Sequence, residues 1–149
     1  MSSSATPYGA RPVGTLSASG SFSGKVRHYS IASGYATSIF YGDFVKLVAA
    51  GGVEKDTGTT ACTPVGIFLG VSYTDPNTSQ KTFSQMWTAS VVASDASAYV
   101  MDDPDVLFEM QGDGTGAQTV IGNNVAVVQT AGSTTIGTSK NAIDISTVA

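Results

Sequence analysis

The chain has 149 residues, a formal net charge of −4 and only 12% charged residues, with one cysteine and one histidine. That length suits one domain with a real core, and an acidic balance with no Lys/Arg cluster argues against nucleic acid as a partner. A single cysteine excludes an internal disulfide and fits synthesis in a reducing compartment. No run reaches transmembrane length, and the opening Met-Ser-Ser-Ser-Ala-Thr has neither a basic n-region nor an apolar h-region, so neither a membrane partner nor a signal peptide is expected. The charged share is about half the usual ~25%, with Gly, Ser, Thr and Ala in its place. Such a surface suits burial against other protein, because charge is depleted at interface cores. It equally suits a Ser/Thr-rich β surface.

Residues 1–24 carry no strand or helix periodicity, since Pro7, Pro12, Gly9, Gly14, Gly20 and Gly24 are spread through them. Tyr8, Val13, Leu16 and Phe22 nevertheless recur, which a plain polar tail would not need. The segment is predicted to be an extended arm laid on a neighbouring surface. Its candidate contact residues are Pro7, Tyr8, Arg11, Pro12, Val13, Leu16 and Phe22, with Arg11 placed to meet a carboxylate there. About twenty extended residues would span roughly 65 Å. The alternatives are a disordered tail or an arm folded back on its own domain.

Residues 25–149 form the predicted body. Residues 25–31 read as a first strand, with Val26, His28 and Ser30 on one face and Arg27, Tyr29 and Ile31 on the other. After a turn at Ser33-Gly34, the chain passes through Gly42-Asp43 into the most strand-like stretch, with strands at 44–48, 52–55 and 67–71. Gly66 and Gly70 flank Ile67-Phe68-Leu69, where a missing side chain permits a bend or a close backbone approach. Residues 81–88 alternate, which places Phe83, Gln85 and Trp87 on one face. Val91-Val92 begins a short strand. Residues 98–101 and 105–111 flank Asp102-Asp103-Pro104 as a β-hairpin. One helical turn is expected at 117–122, capped by Thr115 and stopped by Gly122, followed by strands at 125–129 and 142–145. Many short strands at regular turn spacing predict an all-β fold, a small barrel or sandwich.

No constellation points to catalysis, a metal or a cofactor. His28, the only histidine, and Cys62, the only cysteine, are the candidate base–nucleophile pair, and nothing around them resembles an activating elbow or helix N-terminus. Asp95, Asp102, Asp103 and Asp105 are acidic but lack the EF-hand spacing; Asp-Asp-Pro-Asp is ordinary turn chemistry. The 112–116 segment is Gly-rich without a P-loop ending or dinucleotide order. Trp87 with Phe83 and Tyr73 is a candidate sugar-stacking platform, though one such cluster is more often core.

Read as a whole, the chain resembles the small head decoration (capsid-stabilising, or cement) proteins of tailed bacteriophages. The resemblance rests on motifs that run in order over about the first three quarters of the chain. They are Ala5-Thr6-Pro7-Tyr8-Gly9 with Arg11-Pro12-Val13, then Ile31-Ala32-Ser33-Gly34-Tyr35 with Thr37 and Ile39, Gly42-Asp43 with Val45-Lys46-Leu47-Val48, and Gly66-Ile67-Phe68-Leu69-Gly70. Tyr73-Thr74-Asp75-Pro76, Phe83-Ser84-Gln85 and Ala98-Tyr99-Val100 with Asp102-Asp103-Pro104 complete the set. The resemblance implies a non-enzymatic virion protein without cofactors, made in the host cytoplasm and bound to the outside of the head. Its partners would be the major capsid protein and itself, with a trimer favoured. The rival expectations are a virion-surface glycan-binding module and another virion component such as a tail or head–tail protein.

Overall fold

The computed structural model describes residues 5–16 and 24–148. The described chain is almost entirely β: ten strands, three antiparallel sheets and a single 3-10 turn. The strands are β1 (Arg11–Thr15), β2 (Val26–Ser30), β3 (Phe44–Leu47), β4 (Val53–Lys55) and β5 (Gly66–Thr74), then β6 (Lys81–Ser84), β7 (Ser97–Met101), β8 (Val106–Glu109), β9 (Val125–Val128) and β10 (Ala142–Val148).

The main sheet is built on β5. It is the longest strand because its apolar run continues through Gly70 to Tyr73, and six of its nine residues are buried. One edge of β5 pairs with β7; the other pairs first with β3 and then with β6. The order β2-β7-β5-β3-β4 leaves β2 and β4 as outer edges that do not pair with each other, so the sheet stays open and the body is sandwich-like, not a closed barrel. Gly66 sits where a Cβ would lie 2.4 Å from the Met101 carbonyl oxygen, the close approach expected of it. The β5–β7 register shifts between Phe68 and Gly70, which is the expected bend. Two smaller ribbons, β1–β8 and β9–β10, complete the body.

The core gathers Ile31, Ile39, Val45, Val53, Phe68, Val71, Val100 and Trp87. These are mostly β-branched or aromatic, the types that fill a pleated inner face. Trp87 is fully buried, meets Tyr73 edge to face at 5.6 Å and donates its indole N–H to the Tyr35 carbonyl at 3.3 Å. Phe83, by contrast, is 72% exposed. The shared face predicted for them fails because β6 ends at Ser84, whose hydroxyl accepts the Met86 N–H at 3.2 Å. That bend resets the alternation before Trp87 pairs with Ile39.

Other expectations are corrected. β7 and β8 do not form a hairpin: β7 pairs with β2 and β5, and β8 with β1, so Asp102-Asp103-Pro104 carries the chain between sheets. Val91-Val92 is not a strand; the Val91 carbonyl accepts the Gly34 N–H in a loop contact. The helical turn is present at Gln118–Val120, but Ala117 stands at its cap without a side-chain bond, so Thr115 does not cap it. Residues 11–15 are a strand. Pro12, which lacks an N–H, is tolerated there because β1 is an edge strand with a register shift between Pro12 and Gly14.

At one end of the body a buried polar junction joins these parts. Asp43 and Asn141 are both inaccessible to solvent. Asp43 Oδ2 accepts the Phe40 N–H at 3.0 Å and lies 3.0 Å from Lys55 Nζ. Asp43 Oδ1 accepts from Asn141 Nδ2 at 3.3 Å.

The two aromatic positions give a direct check. Trp87→Ala should lower the unfolding free energy by about 3–5 kcal/mol in urea titration, whereas Phe83→Ser should stay within about 0.5 kcal/mol. Equal costs at the two sites would contradict the broken alternation.

Candidate interaction surface

The predicted arm residues fall into two groups. Residues 5–16 are docked on the chain's own body instead of extending from it; Phe22 lies outside the described residues. Ala10 is buried, and its N–H reaches the Gly42 carbonyl at 3.0 Å, while the Gly9 N–H reaches the Asn141 carbonyl at 3.2 Å. Gly9 holds a φ of +76°, and a Cβ there would lie 2.6 Å from Ser139 Cβ, so only glycine fits the approach. Pro7 and Tyr8 are half-buried beside Ile136 and Lys140 in a shallow apolar depression. The Tyr8 hydroxyl donates to Glu109 Oε1, and the Arg11 guanidinium lies 4.5 Å over the Tyr8 ring. Arg11 makes no ion pair among the described residues.

From Arg11 the chain runs antiparallel to β8, with Arg11 opposite Glu109, Pro12 opposite Phe108 and Thr15 opposite Val106. Val106 and Phe108 turn toward the body. Val13, Leu16 and Leu107 are 53%, 67% and 45% exposed. The ribbon thus carries three exposed aliphatic side chains flanked by Arg11 and Glu109. Leu107 is not among the predicted contact residues, because its exposed place follows from pairing with β1, a strand that the sequence does not reveal.

The chemistry-bearing residues are engaged elsewhere. His28 packs edge to face on Tyr99 at 4.6 Å. The Cys62 thiol donates to the Gly58 carbonyl at 2.7 Å, and burial, then the nearby Asp56 charge, pushes its pKa up; a nucleophilic cysteine needs the opposite shift. Asp102 Oδ2 accepts from the Tyr29 hydroxyl at 2.6 Å and lies 3.4 Å from Arg27 Nε. Asp103 accepts from the Asp105 N–H, and that bond lowers its pKa. Asp95 accepts from the Thr74 N–H and hydroxyl and from Lys81, which hold its carboxyl far below the usual range. Among the described residues, no group of three or more His, Cys, Asp or Glu side chains could hold a metal. The Gly-rich 112–116 segment is packed on β10, where Asp113 receives the Ile145 N–H at 3.0 Å. With Trp87 and Tyr73 in the core, the predicted sugar platform is not on the surface. A different aromatic groove is, lined by Tyr41, Phe83, Gln85 and Tyr99.

The hydrogen bond to Glu109 raises the Tyr8 pKa above its ordinary value, and that to Asp102 does the same for Tyr29. The two bonds stabilise the fold fully below the unfolded phenol value of about 10. That contribution is lost as pH rises through the raised values. Ring-carbon NMR titration should show Tyr8 ionising late in the wild type and moving back toward about 10 in Glu109→Ala. An unshifted Tyr8 in the wild type would mean that residues 5–16 do not dock this way in solution.

No family model matches this chain, and neither the curated proteins nor the solved structures give a match.

Proposed function

We propose that this protein is a non-enzymatic structural component of a tailed-bacteriophage head. It binds the outer capsid surface in many copies and clamps neighbouring copies of the major capsid protein. The observation that carries this reading is the ordered series of motifs from Ala5-Thr6-Pro7-Tyr8 to Asp102-Asp103-Pro104. The exposed aliphatic side chains of the β1–β8 ribbon support it, because they give a low-charge surface something to bury. The non-enzymatic reading rests on the engaged state of Cys62, His28 and the aspartates.

The mechanism is linkage. DNA packed in a head presses its subunits apart. A protein that contacts two or more subunits binds the assembled shell and not separate subunits, so its binding free energy stabilises the shell. Each copy needs only an ordinary interface of roughly 1,200–2,000 Å², repeated over a closed lattice. Residues 9–15 are already ordered on the body, so the ribbon meets the shell without the backbone entropy cost of about 1–2 kcal/mol per residue that an unstructured arm would carry. A trimer is the assembly that the resemblance favours.

A second reading, a glycan-binding module on the virion surface, is favoured by the exposed Phe83 beside Tyr41 and Tyr99. Stacking of sugar rings on those side chains would perturb their NMR resonances on addition of cell-wall glycans.

The test is to add the purified protein to expanded heads that lack it and image them by cryo-electron microscopy. Ordered density at symmetry-related outer sites, with the β1–β8 ribbon toward the shell, is expected. A bare shell at saturating protein overturns the proposal. Leu16→Ser combined with Leu107→Ser should weaken binding about tenfold or more, while each change alone shifts fold stability by no more than about 0.5 kcal/mol.

A further inference from the structure

Lys55 is placed where a lysine is seldom found. In the β3–β4 ladder it stands opposite Val45, which is fully buried, so the register turns Lys55 to the inner face. Its side chain is only 10% exposed, and the Phe40 ring lies 5.7 Å from the amine. The junction joins the amine to Asp43 at the start of the neighbouring strand and, through Asp43, to Asn141 from a distant part of the chain. Asp43 Oδ2 is 3.0 Å from Lys55 Nζ. Asp43 Oδ1 holds the Asn141 amide nitrogen at 3.3 Å. The Asn141 carbonyl oxygen accepts the Thr130 backbone N–H at 3.1 Å.

These are the parts of an amide-forming site. Lys55 supplies an amine, Asn141 a carboxamide with a good electrophilic carbon once its oxygen is polarised, and Thr130 N–H a donor for the oxyanion that attack would create. Asp43 bridges the attacking and leaving nitrogens, one on each oxygen. The surroundings exclude water, which would compete for the carbonyl and hydrolyse the product.

We propose that Lys55 and Asn141 become joined by an intramolecular isopeptide bond after the chain folds, with Asp43 as the proton shuttle. Lys55 Nζ, having passed one proton to Asp43 Oδ2, attacks Asn141 Cγ. The flexible four-carbon stem of the lysine lets the amine swing from the carboxylate to that carbon. The Nζ–Cγ bond forms and the Cγ–Nδ2 bond breaks. Of the three hydrogens that Nζ begins with, one stays on the new amide, one leaves with Nδ2 as ammonia, and one remains on the Asp43 carboxyl. No oxidant, metal or other reactant is needed. The step replaces a buried ion pair, whose desolvation is costly, by a neutral amide beside a neutral carboxyl.

The bond would tie β4 of the main sheet to the start of β10. A cross-link of this kind constrains the unfolded chain as a disulfide does, and more so the longer the loop it closes. In a chain with one cysteine it is the covalent staple available. It stands apart from what the protein binds and holds or fails independently of the head-decoration reading.

The experiment is an intact-mass measurement on the full wild-type chain under denaturing conditions, with tandem mass spectrometry of a protease digest. The wild type should weigh one ammonia less than its sequence, roughly 17 Da, and yield a branched peptide linking Lys55 to Asn141. Lys55→Arg and Asp43→Asn should each appear at full sequence mass. A wild type at full sequence mass overturns the proposal. So does an ammonia loss that persists in Lys55→Arg, which marks Asn141 cyclising on its own backbone. A loss of water in place of ammonia also overturns it, because Lys55 would then be joined to Asp43.

Discussion

The Asp43 carboxylate is the interaction on which the most distant parts of this chain depend. It follows a tight turn at Gly42 and is wholly shielded from water. An isolated buried carboxylate is prohibitively costly, so it persists only where both of its oxygens are hydrogen-bonded or paired. Here one oxygen takes the Phe40 N–H and the Lys55 amine, and the other takes the Asn141 amide. Asn141 in turn receives Gly9 on its backbone carbonyl, and Gly42 receives Ala10. One buried charge therefore connects the N-terminal segment, the β3–β4 end of the main sheet and the entry to β10. Removing one partner of such a pair typically costs about 3–5 kcal/mol, because the other is left buried and unpaired.

That connection decides how the outer surface is built. Because Gly9 and Ala10 are pinned beside Gly42 and Asn141, β1 leaves the junction in a fixed direction and meets β8. The result is a small ribbon with a filled inner side and an aliphatic outer side. The chain spends few charges on its surface, and the ones it has are largely tied to one another or to backbone N–H groups. Asp95 with Thr74 and Lys81, and Asp102 with Tyr29 and Arg27, are examples. Between the exposed Arg11 and Glu109, the outward centre of the ribbon is aliphatic, the composition that a contact between proteins requires at its centre.

The sequence made most of the main sheet legible, because Phe44–Leu47, Gly66–Thr74 and Ser97–Met101 are dense in β-branched and aromatic residues bounded by glycine or aspartate. It hid β1, because Pro12 and Gly14 are breakers everywhere except on an edge strand with a bulge. It misdirected the reading at Asp102-Asp103-Pro104, since turn chemistry states that the chain reverses but not which strand it then pairs with. The alternation through Phe83 and Trp87 failed for a related reason: a side-chain-to-backbone bond at Ser84 resets the period, and period-counting does not see it. The junction itself left the weakest trace. Asp43 reads as a turn residue, Lys55 only as the end of a predicted strand, and Asn141 only as the residue before one, and only long-range packing brings the three together.

Native-state hydrogen exchange tests most directly whether this junction holds the N-terminal segment, the main sheet and the β9–β10 ribbon as one unit. The amides of Ala10, Phe40 and Thr130 are expected to exchange only through global unfolding, with the same opening free energy as Phe68 and Val100 in the middle of the main sheet. Rapid local exchange at Ala10 and Thr130 while Phe68 and Val100 stay protected would contradict this.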